Sequence, residues 1–206
     1  MNFTVYEREA YKTGRWTGGT TTELAIYPGD SPYGERNFIW RLSSATIETE
    51  ESEFTPLPDY DRVLIVLEGE VVLSHKEIRV TRLAKYEQDR FSGVYETKSF
   101  GRITDFNLMI RKGSQGFGEV ISLAKETVWI EKERLSLYHK TTQGFYCAEG
   151  VCTLHFSKIL CQLNAGELLI INSEYDDLGK ICLTGSGKTI RVHMYYNEDS
   201  LQKQEG

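Results

Sequence analysis

The sequence predicts an all-β protein built from two similar units, and three observations lead there. Val66-Leu-Glu-Gly-Glu-Val-Val-Leu73 lines up with Cys147-Ala-Glu-Gly-Val-Cys-Thr-Leu154, so that Glu68-Gly69 matches Glu149-Gly150. The strand pattern downstream repeats as well, with Ile78-Arg-Val-Thr-Arg-Leu83 against Ile159-Leu-Cys-Gln-Leu163. An internal repeat of this kind sets the architecture before any other feature is read. Short β-runs separated by turn residues fill the rest of the chain, as in a barrel or sandwich. No segment offers a long apolar face of 3.6-residue period, so helix should be scarce.

In order, residues 38–45, 61–67, 70–73 and 78–81 read as strands, and residues 104–110 close the first unit. Gly113-Ser-Gln-Gly-Phe-Gly118 carries three glycines and reads as a linker. Residues 119–123, 126–130, 144–147, 151–156, 167–171 and 189–196 supply the strands of the second unit. The domains are therefore expected at residues 1–112 and 119–196. The polar run 197–206 is expected to be a frayed tail.

A chain of 206 residues buries a substantial core without staples. Net charge is −6 and basic residues are dispersed, which argues against nucleic-acid binding. No run approaches the length of a membrane span, and the first residues lack a signal-peptide pattern, so neither membrane association nor export is expected. Cys147, Cys152, Cys161 and Cys182 form no C-x-x-C pair, which reads as reduced thiols of a cytoplasmic protein, three of them in apolar strand-like runs.

Successive strand residues point to opposite faces. Arg41 and Ser43 therefore share one face of their strand, and Asp105 and Asn107 one face of theirs. Arg191 and His193 do the same in the second unit, opposite Ile190, Val192 and Met194. Such polar faces are either the solvent side of a half-buried sheet or the lining of a pocket.

The motifs exclude several chemistries. His75, His139, His155 and His193 show no metal-binding spacing, and only His155 and His193 could meet on neighbouring strands. No metal and no cofactor is expected. Thr184-Gly-Ser-Gly-Lys-Thr189 lacks the first glycine of a P-loop and precedes a strand, so a hairpin turn is expected there. No G-x-S-x-G nucleophile elbow occurs. Trp16-Thr-Gly-Gly-Thr-Thr-Thr-Glu23 is the most distinctive run. Its glycines allow close backbone approach, and its hydroxyls, with Thr20 and Thr21 at the centre, could meet an anion. A tight turn leading into a strand would explain the same residues.

Four motifs occur in order: Trp16-Thr-Gly-Gly-Thr-Thr-Thr-Glu23, Phe38-Ile-Trp-Arg-Leu-Ser-Ser-Ala45, Phe54-Thr-Pro-Leu-Pro-Asp-Tyr-Asp-Arg62 and Asp105-Phe-Asn-Leu-Met109. Together they resemble the HutD/Ves family. The resemblance implies a bicupin: two tandem double-stranded β-helix (cupin) barrels with little helix. It also implies a link to histidine utilisation and a small acidic ligand such as N-formylglutamate, without a secure catalysed reaction. The glycine-rich loop lacks the Asn and third Gly often seen in the family. The strands at residues 63–67 and 69–73 carry none of the H-x-H, Glu and His ligands of metal-binding cupins.

In a cupin barrel one strand face lines the cavity. The expected ligand-binding set is then Trp16, Thr20, Thr21, Arg41, Ser43, Arg62, Asp105 and Asn107. Arg41 would grip a carboxylate bidentately. Ser43 and Asn107 would add neutral hydrogen bonds, and Asp105 would orient Arg41 or accept from a ligand N–H. The expected function is a metal-free binding protein for a carboxylate or amide metabolite, accessory or regulatory. One alternative is a metal-free isomerase or hydrolase of a small amino-acid derivative with Asp105 as general base. The other is a ligand-free scaffold, and the fold analogy admits a homodimer.

Overall fold

Alternating apolar residues form the expected strands, and several run longer than the sequence suggests. The computed structural model describes residues 1–124, 126–131, 135–174 and 179–198. The chain divides into one unit of Tyr11–Gln115 and another of Met1–Ala10 with Gly116–Gly206. Strand β1 (Asn2–Tyr6) belongs to the latter. The Tyr11–Gln115 unit holds β2 (Lys12–Trp16), β3 (Gly19–Tyr27), β4 (Trp40–Ile47), β5 (Glu51–Glu53) and β6 (Tyr60–Gly69). It continues with β7 (Val71–His75), β8 (Arg79–Leu83), β9 (Gln88–Ser92), β10 (Thr97–Phe100) and β11 (Ile103–Arg111). The remaining strands are β12 (Gln115–Ala124), β13 (Val128–Ile130), β14 (Lys140–Phe156), β15 (Ile159–Asn164), β16 (Leu168–Glu174) and β17 (Ile181–Tyr196). The described residues contain no α-helix, only short 3-10 turns at Arg8–Ala10 and Tyr33–Glu35.

Within Tyr11–Gln115, six strands pair in the order β2-β3-β4-β11-β6-β9 and four in the order β5-β10-β7-β8. One core joins the two sheets: Ile47, Leu64, Val66 and Ile103 from the first pack with Val71, Leu73 and Leu83 from the second. Burying each such side chain contributes about 1.5–3 kcal/mol. The chain crosses between the sheets at Gly69, whose φ is +84°.

In the second unit the order is β1-β16-β14-β17-β12, with β13 on β17 and β15 on β14. Its core includes Phe145, Leu154, Leu163, Leu169, Leu183 and the cysteines 147, 152 and 161. All four cysteines are free thiols. Burial pushes the Cys147 thiol up to about 11, which keeps it inert.

The matched Glu-Gly pairs have matched backbones, since Gly150 lies at φ +75°. The strands that contain them differ. Gly69 ends β6, whereas Gly150 lies inside the 17-residue β14. The expected strands at 144–147 and 151–156 are therefore one strand. The expected hairpin at 184–189 is also corrected, because those residues lie within β17 and pair with β14 from Thr153 to Cys147. Gly187 explains this: a Cβ there would stand 2.1 Å from the Glu149 carbonyl oxygen. Glycine lets the two backbones close together where a strand bends, and in sequence that is indistinguishable from a turn.

The chain boundaries differ as well. β1 pairs with β16, from Asn2 opposite Asn172 to Tyr6 opposite Leu168, so the first residues belong with the second half of the chain rather than with residues 11–112. Strand β12 begins at Gln115, inside the expected linker. Most of the expected frayed tail, residues 199–206, lies outside the described residues.

Candidate functional site

Register brings the polar motifs together. Across β3, β4 and β11, Glu23 stands opposite Ser43, and Ser43 opposite Asn107. Arg41 and Arg62 flank Met109 from either side, and Ala45 is paired with Asp105. Period-two alternation then turns Thr21, Glu23, Arg41, Ser43, Asp105, Asn107, Met109 and Arg62 to one face. The side chains of this face line a cavity of about 800 Å³ within the Tyr11–Gln115 unit. Arg41, Ser43, Arg62, Asp105 and Asn107 are all at most 5% exposed, so this face is not a solvent face.

Seven of the eight expected residues line the cavity: Trp16, Thr21, Arg41, Ser43, Arg62, Asp105 and Asn107. Thr20 does not, because it alternates to the other side of β3 from Thr21, opposite Arg15 and Thr46. The motif around it is a hairpin joining β2 and β3 whose inward residues reach the cavity. Trp16 folds over the turn, with its ring where a Gly18 Cβ would be, and its Nε1 donates to Thr21 Oγ1 at 3.2 Å.

Arg41 is held differently from the expectation. Its Nε donates to Glu23 Oε2 at 2.7 Å, and its guanidinium lies 4.2 Å from the Tyr33 ring centroid. Glu23, not Asp105, orients it. Among the described residues nothing accepts from Nη1 or Nη2, and neither nitrogen is sealed from the cavity. Arg62 donates from Nη2 to the Thr55 carbonyl at 2.6 Å, while its Nε and the Oδ1 of Asn107 are buried without partners. Burial lowers the Arg62 pKa, the charges of Tyr33 and Asp105 oppose this, and Arg36 and Arg41 add to it. An arginine stays protonated nonetheless.

Asp105 is 1% exposed. Its Oδ1 accepts a long hydrogen bond, 3.4 Å, from the Ala45 amide, and it makes no ion pair among the described residues. Burial pushes its carboxyl up to about 7, against smaller lowering effects from the Ala45 amide and the Arg62 charge. Glu23 and Tyr33 were missed by sequence reasoning. Glu23 closes the quoted Trp16 motif and sits two residues from Thr21 on the same face, which alternation could have revealed. Tyr33 comes from the loop after β3, where no period applies.

The cavity lining contains no histidine or cysteine. No group of three or more His, Cys, Asp and Glu stands together among the described residues. Glu23, one of the acids in the lining, is engaged by Arg41. His155 and His193 do lie on the paired strands β14 and β17, but far apart along them, opposite Cys182 and Gln143 respectively.

The second unit has a smaller cavity of about 210 Å³ lined by Phe117, Gly118, Glu119, Arg191 and His193. Here each of the three guanidinium nitrogens has a partner. Nε donates to Gln143 at 2.9 Å, Nη1 to Glu119 at 2.6 Å, and Nη2 contacts His193 Nδ1 at 3.3 Å. His193 also bonds Thr141 and Tyr195, and burial first, with Arg191 second, lowers its pKa to about 3.

The all-β fold is shared by solved structures that cover nearly the whole chain. A conserved protein of unknown function from Pseudomonas aeruginosa is 22% identical over 95% of this chain and 98% of its own, with a TM-score of 0.77. HutD from Pseudomonas fluorescens is 22% identical over 95% and 100%, with a TM-score of 0.72. The pirin YhhW from Escherichia coli, solved with nickel(II), is 11% identical over 95% and 99%, with a TM-score of 0.64. The family model HutD matches residues 8–190, and the chain belongs to the HutD family. No curated protein matches it. No helix among the described residues is long and apolar enough to cross a membrane.

Proposed function

We propose that the Tyr11–Gln115 unit is a cupin-type barrel, one half of a bicupin, whose cavity binds a small carboxylate without a metal. The supporting observation is Arg41. Its guanidinium is buried, oriented through Nε by Glu23 and stacked on Tyr33, while its two terminal nitrogens have no partner among the described residues and line the cavity. A planar fork held this way matches a carboxylate bidentately, and a buried charge with free donors is built for a ligand. Arg191 of the other unit, with a partner on each of its three guanidinium nitrogens, supports the contrast. A cytoplasmic accessory or sensor protein of histidine utilisation is the role that accords with HutD membership.

The second reading is a metal-free isomerase or hydrolase. Asp105 favours it, as a carboxyl near neutrality at the cavity wall suits a general base.

A thermal-shift panel of small carboxylates at pH 6 tests the binding reading. Formate belongs in it, since HutD from Pseudomonas fluorescens was solved in a formate condition, together with N-formylglutamate and other acyl amino acids. A ligand at 100 times its Kd adds about 2.7 kcal/mol. For a chain of this size that is a rise of roughly 5–11 °C. A flat response across the panel contradicts the carboxylate reading.

A further inference from the structure

Asp105 has one oxygen to spare. Oδ1 accepts from the Ala45 amide, while Oδ2 has no partner among the described residues and is not sealed from the cavity that the residue lines. Neither arginine neutralises it, because Arg41 is paired with Glu23 on β3 and Arg62 bonds the Thr55 carbonyl. We propose that Asp105 is a specificity residue that acts as a neutral carboxyl, its Oδ2–H donating to an acceptor oxygen of a ligand whose carboxylate sits on Arg41. The inference rests on the carboxylate reading above and narrows it to acids that also carry a carbonyl or amide oxygen.

The electrostatic setting supports this. Arg41 on β4, Arg62 on β6, and Lys12 and Arg15 on β2 are the cations lining the cavity. Glu23 on β3, Glu53 on β5 and Asp30 in the loop after β3 are its other acids, with Tyr33 beside them. Arg15 is turned to Glu48 at 3.1 Å. Of these, Arg62 is the one whose charge favours the Asp105 anion, and burial outweighs it, leaving the carboxyl at about 7. An incoming carboxylate adds negative charge near Asp105 and so strengthens its hold on the proton. The ligand and the proton therefore bind together.

The test uses N-acetylglycine and valerate, a pair of similar length in which only the first has the acceptor oxygen, titrated calorimetrically at pH 6 and pH 8.5. N-acetylglycine binds more tightly at pH 6, and its affinity falls by roughly 30-fold at pH 8.5, about tenfold per unit above neutrality. Valerate, which makes no bond to Asp105, loses less, so the preference narrows. Asp105→Asn carries a permanent amide donor at the same place. It keeps the preference at both pH values, and its circular dichroism verifies the fold. Equal affinities for the two acids at pH 6, or a preference unchanged in the parent at pH 8.5, overturns the role of Asp105 while leaving the carboxylate reading intact. Failure of both acids to bind defeats the carboxylate reading itself.

Discussion

Arg41→Ala strongly weakens carboxylate binding while leaving the protein folded. The substitution removes the fork that receives the ligand, and losing one side of a buried, hydrogen-bonded charge pair costs about 2–5 kcal/mol. That is a fall in affinity of roughly 30-fold to several thousand-fold. Stability changes less, because Glu23, the partner left behind, has a side chain that is 23% exposed and can take water in place of the guanidinium. Arg41→Lys separates charge from geometry. The ammonium retains the positive charge but cannot bind Glu23 through one edge and a carboxylate through the other. Its affinity falls between those of the parent and Arg41→Ala. Calorimetric titration of the three proteins with the best member of the carboxylate panel measures all of this. Undiminished affinity in Arg41→Ala places the ligand elsewhere.

Asp105→Asn stabilises the protein at alkaline pH. Burial lifts the folded-state carboxyl to about 7 from an ordinary 3.8. Between those values the folded state holds a proton that the unfolded state has released. Stability thus falls as pH rises through that window, and above it the loss is complete. At about 1.4 kcal/mol per pH unit, the loss reaches at most about 4 kcal/mol at pH 8. Asparagine is neutral at every pH and can keep the Ala45 hydrogen bond, so it escapes the loss. The midpoint of thermal unfolding should be close to the parent's at pH 4 and higher by up to roughly 8–16 °C at pH 8. Equal midpoints at both pH values would mean that Asp105 ionises freely. A carboxyl retained at such cost is expected of a binding site rather than of a core.

Much of this site was legible from alternation alone. Arg41 and Ser43, and separately Asp105 and Asn107, share a face because strand residues two apart must. The match of Glu68-Gly69 to Glu149-Gly150 extends to the backbone, where both glycines sit at positive φ. Pairing was not readable. Which carboxylate meets Arg41 depends on β3 lying beside β4 in one register, with an irregularity between Glu23 and Ala25. Nothing local to Asp105 reveals that Glu23 has taken its expected role. Thr20 was misplaced for a related reason: in a run of three threonines, composition does not say which hydroxyl faces inward. The Gly185 and Gly187 segment misled in the opposite direction. Glycines that permit two strands to approach closely carry the same signature as a turn, and only the β14 partner distinguishes them. The attachment of β1 to β16 is non-local, and no pattern within residues 2–6 announces it.

The most direct measurement is a crystal structure of the protein with N-acetylglycine at about ten times its calorimetric Kd, pH 6. The carboxylate is expected on Nη1 and Nη2 of Arg41, at about 2.7–2.9 Å, with the Nε–Glu23 bond intact and the acetyl oxygen beside Asp105 Oδ2. A carboxylate bound away from Arg41, or a cavity left unfilled while the acid occupies another surface, would contradict a carboxylate site at Arg41.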